Sequence, residues 1–316
     1  MKNLKFLFIG LLALNLFVFT SCSDDDSTPE PEALSIVDTA IATADLSILV
    51  QALQSADLVT ALQADGPFTV FAPTNQAFQD LLDDVPAWTT LEDIPAATLS
   101  NVLLFHVVSG NVKAADLTDT YVPTLSPAPN SEAVSLKIDV TGGVQFNGSA
   151  SPVTTDIEAT NGTIHIINKV MLPPSVVGIA LDNDNFSTLV AALTREDLTT
   201  NFVGILSGDG PFTVFAPTNA AFQELLDSND DWTALADIPV ATLEAVLTYH
   251  VVSGANVQSD ELTDNQEIAA LGGTLTVDLT DGAKLETTSG QSVGIVIVDV
   301  QGTNGVVHAV SSVLLP

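Results

Sequence analysis

By side-chain type, four histidines are the residues best suited to move protons in this sequence: His106, His165, His250 and His308. Imidazole titrates near neutral pH, and Asp156 or Asp299 could orient such a base. The surroundings argue otherwise. His165 sits among Ile164, Ile166 and Ile167, and His106 continues a helical face of Leu99, Val102 and Leu103. Histidines in such company are expected to be structural, each paired with a buried polar group. No G-x-S-x-G or H-E-x-x-H segment and no phosphate-binding glycine loop occurs, so neither a catalytic residue nor a cofactor is expected. Oxygen donors alternate at Asp182, Asn183 and Asp184, and again at Asp227, Asn229, Asp230 and Asp231. Neither run has the glycine and later glutamate that a calcium loop requires, so solvated loops and caps account for them and no metal is expected.

These residues belong to elements that occur twice. Gly66 to Phe78 reads GPFTVFAPTNQAF and Gly210 to Phe222 reads GPFTVFAPTNAAF, twelve of thirteen positions at an offset of 144. LLFHVVSG from Leu103 and LTYHVVSG from Leu247 keep that offset, and NGTIHIINKVMLP from Asn161 is echoed by NGVVHAVSSVLLP from Asn304. Two structural units of domain size follow. In each unit an amphipathic helix (Leu46, Leu49, Val50, Leu53; then Phe186, Leu189, Val190, Leu193) starts behind Asp45 or Asn185. The second unit carries four extra residues before its PFTVFAP strand, a change that a surface loop absorbs. Pro73 ends the first such strand, after which Asn75, like Asn219 in the repeat, is expected to cap a helix. Pro95 and Pro239 open another helix, which carries His106 or His250 toward the core. The remainder reads as sheet: Val134, Leu136 and Ile138 alternate with polar residues, Gly142-Gly143 turns the chain, and Asn161-Gly162 and Asn304-Gly305 predict tight hairpins. Pro173-Pro174 makes a short stiff linker that limits the relative orientations of the two units.

Composition narrows the partners. Acidic residues outnumber basic ones 39 to 7, a net charge of −32 that repels a phosphate backbone and argues against nucleic acid. A 46% hydrophobic content supplies two cores. Lys2 and Lys5 precede an apolar run from Phe6 to Phe19, too short to span a membrane and fitting a secretion signal. Cys22 is the sole cysteine, so no internal disulfide can form. It follows the apolar run as the modified cysteine follows the lipobox of bacterial lipoproteins, which this segment resembles, with Phe19 in place of the usual leucine. The resemblance implies lipid on Cys22 as a membrane anchor. Ser23 and the aspartates 24–26 look like outer-membrane sorting and surface-export signals, and the run as a whole reads as an acidic tether.

The three paired blocks together resemble the fasciclin (FAS1) domain. TVFAPTN matches its first signature, the His106 and His250 segments its tyrosine-histidine block, and the Asn161 segment its second signature. The first repeat departs at Phe105, where the family usually has tyrosine; the second keeps Tyr249. The implied class is α+β, two tandem domains that are each a wedge-shaped β-sandwich with several packed helices. Expected boundaries are a lipoprotein signal at 1–21, the tether at 22–33, and domains at 34–173 and 174–316. In animal members an Asp-Ile pair ahead of the second signature is associated with adhesion. Asp156-Ile157 and Asp299-Val300 hold that position here and are the candidate partner-binding residues, though plain strand and turn roles also fit. The reading is therefore a lipid-anchored outer-membrane protein, displayed on the cell surface or, as the alternative, on the periplasmic face, that binds cell-surface or matrix proteins or polysaccharides without catalysis. The alternative is a polysaccharide or small-ligand receptor of the envelope.

Overall fold

The computed structural model describes residues 33–316; Cys22, the expected signal and all but the last residue of the expected tether lie outside the described residues. The first repeat runs α1 (Ile36–Ala42), α2 (Ser47–Ser55), α3 (Val59–Leu62), β1 (Phe68–Pro73), α4 (Asn75–Asp84), α5 (Ala96–Phe105), β2 (Val107–Ser109), β3 (Thr120–Pro127), β4 (Ala133–Asp139), β5 (Gln145–Phe146), β6 (Pro152–Ala159) and β7 (Gly162–Ile167). The second follows the same order with α6 (Val176–Leu181), α7 (Ser187–Leu193), α8 (Phe202–Leu206), β8 (Phe212–Pro217), α9 (Asn219–Asp227), α10 (Val240–Tyr249), β9 (Val251–Ser253), β10 (Glu267–Ala270), β11 (Gly273–Asp278), β12 (Lys284–Glu286), β13 (Ser292–Gly302) and β14 (Gly305–Val310).

Two capping expectations are corrected. Thr74, extended at φ −65° and ψ 163°, caps α4 by accepting the Ala77 N–H, and Thr218 caps α9 in the same way. Asn75 and Asn219 are already helical and serve a longer-range purpose. The Asn75 amide accepts the Ile48 N–H at 2.9 Å and donates to the Ala44 carbonyl, tying α4 to the start of α2. Asn219 joins Thr188 and Asp184 identically. Asp45 and Asn185 fall inside one-turn 3₁₀ segments ahead of α2 and α7, so neither caps those helices.

The central parallel pair of each repeat joins the signature blocks: β1 with β7 from Phe68↔Gly162 to Pro73↔Ile167, and β8 with β14 from Phe212↔Gly305 to Pro217↔Val310. A side chain at Gly162 would place its Cβ 1.9 Å from the Phe68 carbonyl oxygen, so only glycine allows these backbones to approach. The strand order is β5-β4-β3-β2-β1-β7-β6 in the first repeat and β10-β11-β12-β13-β14-β8-β9 in the second. Both are one ring of seven strands opened at different seams. β2 meets β3 through Val108↔Thr124 where β9 and β10 are unpaired, while β12 pairs with β13 where β5 and β6 are not. Curvature follows from one contact. Phe71 on β1 and Phe146 on β5 lie four strands apart, about 19 Å in a flat sheet, yet their ring centroids are 4.5 Å apart. The sheet therefore folds over on itself into a sandwich.

Each repeat has two cores because β1 and β8 are buried on both faces. Val70 and Ala72 face the helices, packing with Leu49, Leu53, Phe78 and Leu103, while Phe71 faces the interior of the folded sheet with Phe105, Leu136 and Phe146. The second repeat divides likewise about Val214 and Phe215. Side chains also join the repeats. Ser135 on β4 accepts the Gln301 N–H at 3.0 Å, Asn130 donates to the Asn256 carbonyl, Lys137 donates to the Asp182 carbonyl at 2.9 Å, and Asn183 donates to the Tyr121 hydroxyl at 2.9 Å. Tyr121 itself packs against the helix-side core of the second repeat.

Candidate functional site

Strands β6–β7 and β13–β14 bring His165, Asp156 and their repeats together, and α5 and α10 deliver His106 and His250. The His106 Nδ1–H donates to the Val102 carbonyl at 2.7 Å, and its Nε2 accepts the Met171 N–H at 2.9 Å. His250 does the same with Val246 and Leu314. Burial pushes both down to about 4, against the raising effect of the Val102 or Val246 hydrogen bond, so both are neutral at pH 7. His165 uses the other tautomer: Nδ1 accepts the Asp156 N–H and Nε2–H donates to the Val112 carbonyl at 3.0 Å. His308 repeats this with Asp299 and Val257, and burial holds it below its ordinary value. The Asp299 carboxylate lies 3.9 Å from His308 Nδ1, but a nitrogen that accepts a proton cannot also carry one, so this contact is no ion pair. All four imidazoles thus have both nitrogens engaged with backbone, and none offers a free lone pair to a substrate.

The carboxylates that could have oriented them are engaged elsewhere. Asp156 Oδ1 accepts the Ala114 N–H at 2.8 Å, and Asp299 accepts the Ser259 N–H at 2.8 Å together with the Ser259 hydroxyl. Each ties β6 or β13 to the 3₁₀ turn that follows β2 or β9, and both aspartates adopt positive φ, 60° and 58°. Their aliphatic neighbours turn inward: Ile157 packs against the helix-side core and Val300 is 3% exposed. Within each candidate pair the carboxylate is therefore hydrogen-bonded and the aliphatic side chain faces the protein. The residues just before them point out. Val153 on β6 and Val296, Ile297 and Val298 on β13 are exposed, and β13 carries register shifts between Ile295 and Ile297 and between Ile297 and Val300. Such bulges rotate side chains off the regular alternation, which turns three successive aliphatics toward water.

Ile297 and Val298 also line a groove of about 630 Å³ between the repeats, facing Asp119, Tyr121, Lys137 and Asp139 of the first and Asn183 and Asn185 of the second. Burial raises the Tyr121 phenol above its ordinary value, and the Asn183 hydrogen bond opposes that. In the acidic runs Asn183 caps a 3₁₀ turn by accepting the Asn185 N–H, and Asn229 closes a loop turn by accepting the Asp231 N–H. Among the described residues no group of three or more histidine, cysteine, aspartate or glutamate side chains is arranged to hold a metal ion.

Two roles escaped the sequence reading. Asn161, read there as a turn residue, donates to the Leu62 and Ala64 carbonyls and accepts the Ile36 N–H at 2.9 Å, so one side chain joins α1, the end of α3 and the β6–β7 turn. Asn304 repeats this with Leu206, Gly208 and Val176. Its recurrence in the paired blocks was the available signal. Tyr249, at the position where the first repeat has Phe105, donates to the Thr274 carbonyl and accepts the Thr288 N–H, a bracing role within its own sheet.

The fasciclin domain family matches residues 44–173 and again 184–316, the two stretches that carry this duplicated geometry. The chain belongs to the fasciclin family. Protein sll1483 of Synechocystis is 41% identical over 145 residues, 45% of this chain and 75% of that protein. Transforming growth factor-beta-induced protein ig-h3 of Sus scrofa and human periostin are each 28% identical across 81% of this chain. This fasciclin chain spans about a third of those two animal proteins, 35% and 29% of their lengths. A solved FAS1 domain pair from the insect cell adhesion molecule Fasciclin I superposes with a TM-score of 0.50 over 86% of this chain and 97% of its own, at 16% identity. That likeness bears on the fold, two tandem fasciclin domains of mixed α and β structure.

Proposed function

We propose that this fasciclin protein is a lipid-anchored adhesion or matrix-binding protein of the cell surface, acting through surface contacts and without catalysis. The observation that carries the reading is the bulged strand β13, which presents Val296, Ile297 and Val298 to solvent, the last two lining the groove between the domains. An exposed aliphatic strip beside polar groups is the kind of surface that protein partners cover. The four histidines support the non-catalytic part, since each spends both nitrogens on the backbone. The insect relative in the structural comparison is a cell adhesion molecule, which supports the partner class. Cys22 would carry the lipid and the aspartates 24–26 would hold the domains clear of the membrane. The test compares cells carrying the parent protein with cells carrying Val296→Ser, Ile297→Ser and Val298→Ser together. Loss of attachment to matrix-coated surfaces, with surface protein level unchanged, supports the reading; parental attachment overturns it.

A second reading, an envelope receptor for polysaccharide or another small ligand, is favoured by the groove itself. Thr120, Thr141, Tyr121, Asn183 and Asn185 line it with hydroxyl and amide groups suited to sugars. Growth lost on one polymer when Tyr121 is changed to Ala, with attachment intact, would favour this reading.

A further inference from the structure

The two domains differ in one internal feature. Between the helices and the sheet of the second domain lies an open pocket of about 140 Å³, walled by Val176, Ala180, Leu189, Leu206, Val214 and Val307, with Leu181 at its mouth. The same place in the first domain, bounded by Ile36, Ala40, Leu49, Leu62, Val70 and Ile164, retains only about 20 Å³. That is room for about one water and none for a group of several carbons. The positions correspond through the paired hydrogen bonds: Ile36 and Val176 donate their N–H groups to Asn161 and Asn304, and those asparagines donate to Leu62 and Leu206. Two isoleucines of the first domain, Ile36 and Ile164, are therefore valines in the second, Val176 and Val307. Each exchange removes one methylene from the wall. The connection beside the second site is also longer, with eight residues between α7 and α8 against three between α2 and α3.

We propose that the second domain binds an uncharged small molecule through an alkyl chain or ring of about six carbons, while the first domain does not. The size is right, because a cavity of about 150 Å³ lined by aliphatic side chains accepts a molecule such as benzene and stays dry without one. The wall offers no donor and a single acceptor: its one polar side chain, Thr194, spends its O–H on the Val190 carbonyl and keeps only its oxygen lone pairs. Water inside would lack the two to four partners it needs, so an apolar group replaces it at no polar cost. The mouth is equally apolar. Leu181 is 61% exposed, and Val177, Val190, Leu193 and Val203 are half-buried around it, so a longer chain would remain in contact as it leaves the pocket. A net charge of −32 disfavours an anionic head group, which selects a neutral amphiphile over a fatty-acid anion.

The experiment titrates 1-hexanol into the full chain and follows valine, leucine and isoleucine methyl signals by NMR. Saturable shifts at Val176, Leu189, Leu206 and Val307 are expected, with none at Ile36 or Ile164. Val176→Ile with Val307→Ile, which gives the second domain the residues of the first, should weaken binding at least tenfold. Ile36→Val with Ile164→Val should create new saturable shifts in the first domain. Hexanoate should bind several-fold more weakly than hexanol at neutral pH. Unsaturable shifts, equal shifts in both domains, or undiminished binding in the refilled variant would overturn the site. Hexanoate binding as tightly as hexanol would overturn the preference for a neutral ligand.

Discussion

Each histidine of this protein is a two-ended backbone clamp. His106 holds the end of α5 against the Met171 N–H, and His250 holds α10 against the Leu314 N–H. Removing either imidazole leaves a buried N–H without an acceptor and a cavity beside it, so His106→Ala should cost about 3 kcal/mol or more. Urea unfolding would measure this. Acid acts on the same clamps. Both histidines hold values of about 4 when folded, below the ordinary 6.5, so between those limits the unfolded chain binds more protons than the folded one. Their stabilisation is complete above pH 6.5 and is withdrawn as pH falls toward 4, by about 3 kcal/mol for each histidine. Unfolding free energies at pH 7, 5.5 and 4 should trace that decline, and His106→Ala with His250→Ala should flatten it.

At the scale of elements, the paired signature blocks exist to hold one parallel strand pair against one helical layer. Asn161 spends its whole amide on that task, so Asn161→Ala should cost about 3 kcal/mol by orphaning the Ile36 N–H and the Leu62 and Ala64 carbonyls. Gly162→Ala should be worse, because its Cβ would overlap the Phe68 carbonyl and force β1 and β7 apart. A midpoint shift in denaturant larger than that of Asn161→Ala is expected. The duplicated strands, helices and hairpins were legible because period, turn residues and repetition agreed. The caps were not: Asn75 and Thr74 are both good cap residues, and only the path of α2 shows that Asn75 is needed elsewhere. The seam of each strand ring was equally hidden, since it depends on whether β2–β3 or β12–β13 comes within hydrogen-bonding reach.

For the whole molecule, the question is how two similar domains act as one body. Tyr121, Ser135 and Lys137 of the first domain reach Asn183, Gln301 and Asp182 of the second, and Asn256, Gln258 and Gln301 form a buried amide cluster behind them. Buried polar groups of this kind lose their partners if the domains part, so docking and folding are coupled. Tyr121→Ala with Ser135→Ala, which removes the Asn183 and Gln301 N–H partners across the seam, should split calorimetric unfolding into two transitions where one is expected for the parent. A single transition in the variant would mean the domains are coupled by other contacts. At this scale too, Cys22→Ala should release the protein from membranes, read by fractionation of cells.

The sequence by itself determined the family, the duplication and the residues that recur, because a repeated pattern declares its structural roles twice. It also narrowed the histidines to structural work, since an imidazole among leucines and isoleucines has few polar partners other than backbone. The tertiary structure decided what remains exposed. Asp156 and Asp299 look like surface anchors in sequence, yet each carboxylate is bonded to a turn more than 39 residues away, while the bulges of β13 turn Val296, Ile297 and Val298 outward. Only packing in three dimensions distinguishes a filled site from an open one. Ile36 and Val176, like Ile164 and Val307, are equivalent in any pattern of hydrophobicity, yet the domain with the two valines is the one whose pocket is open.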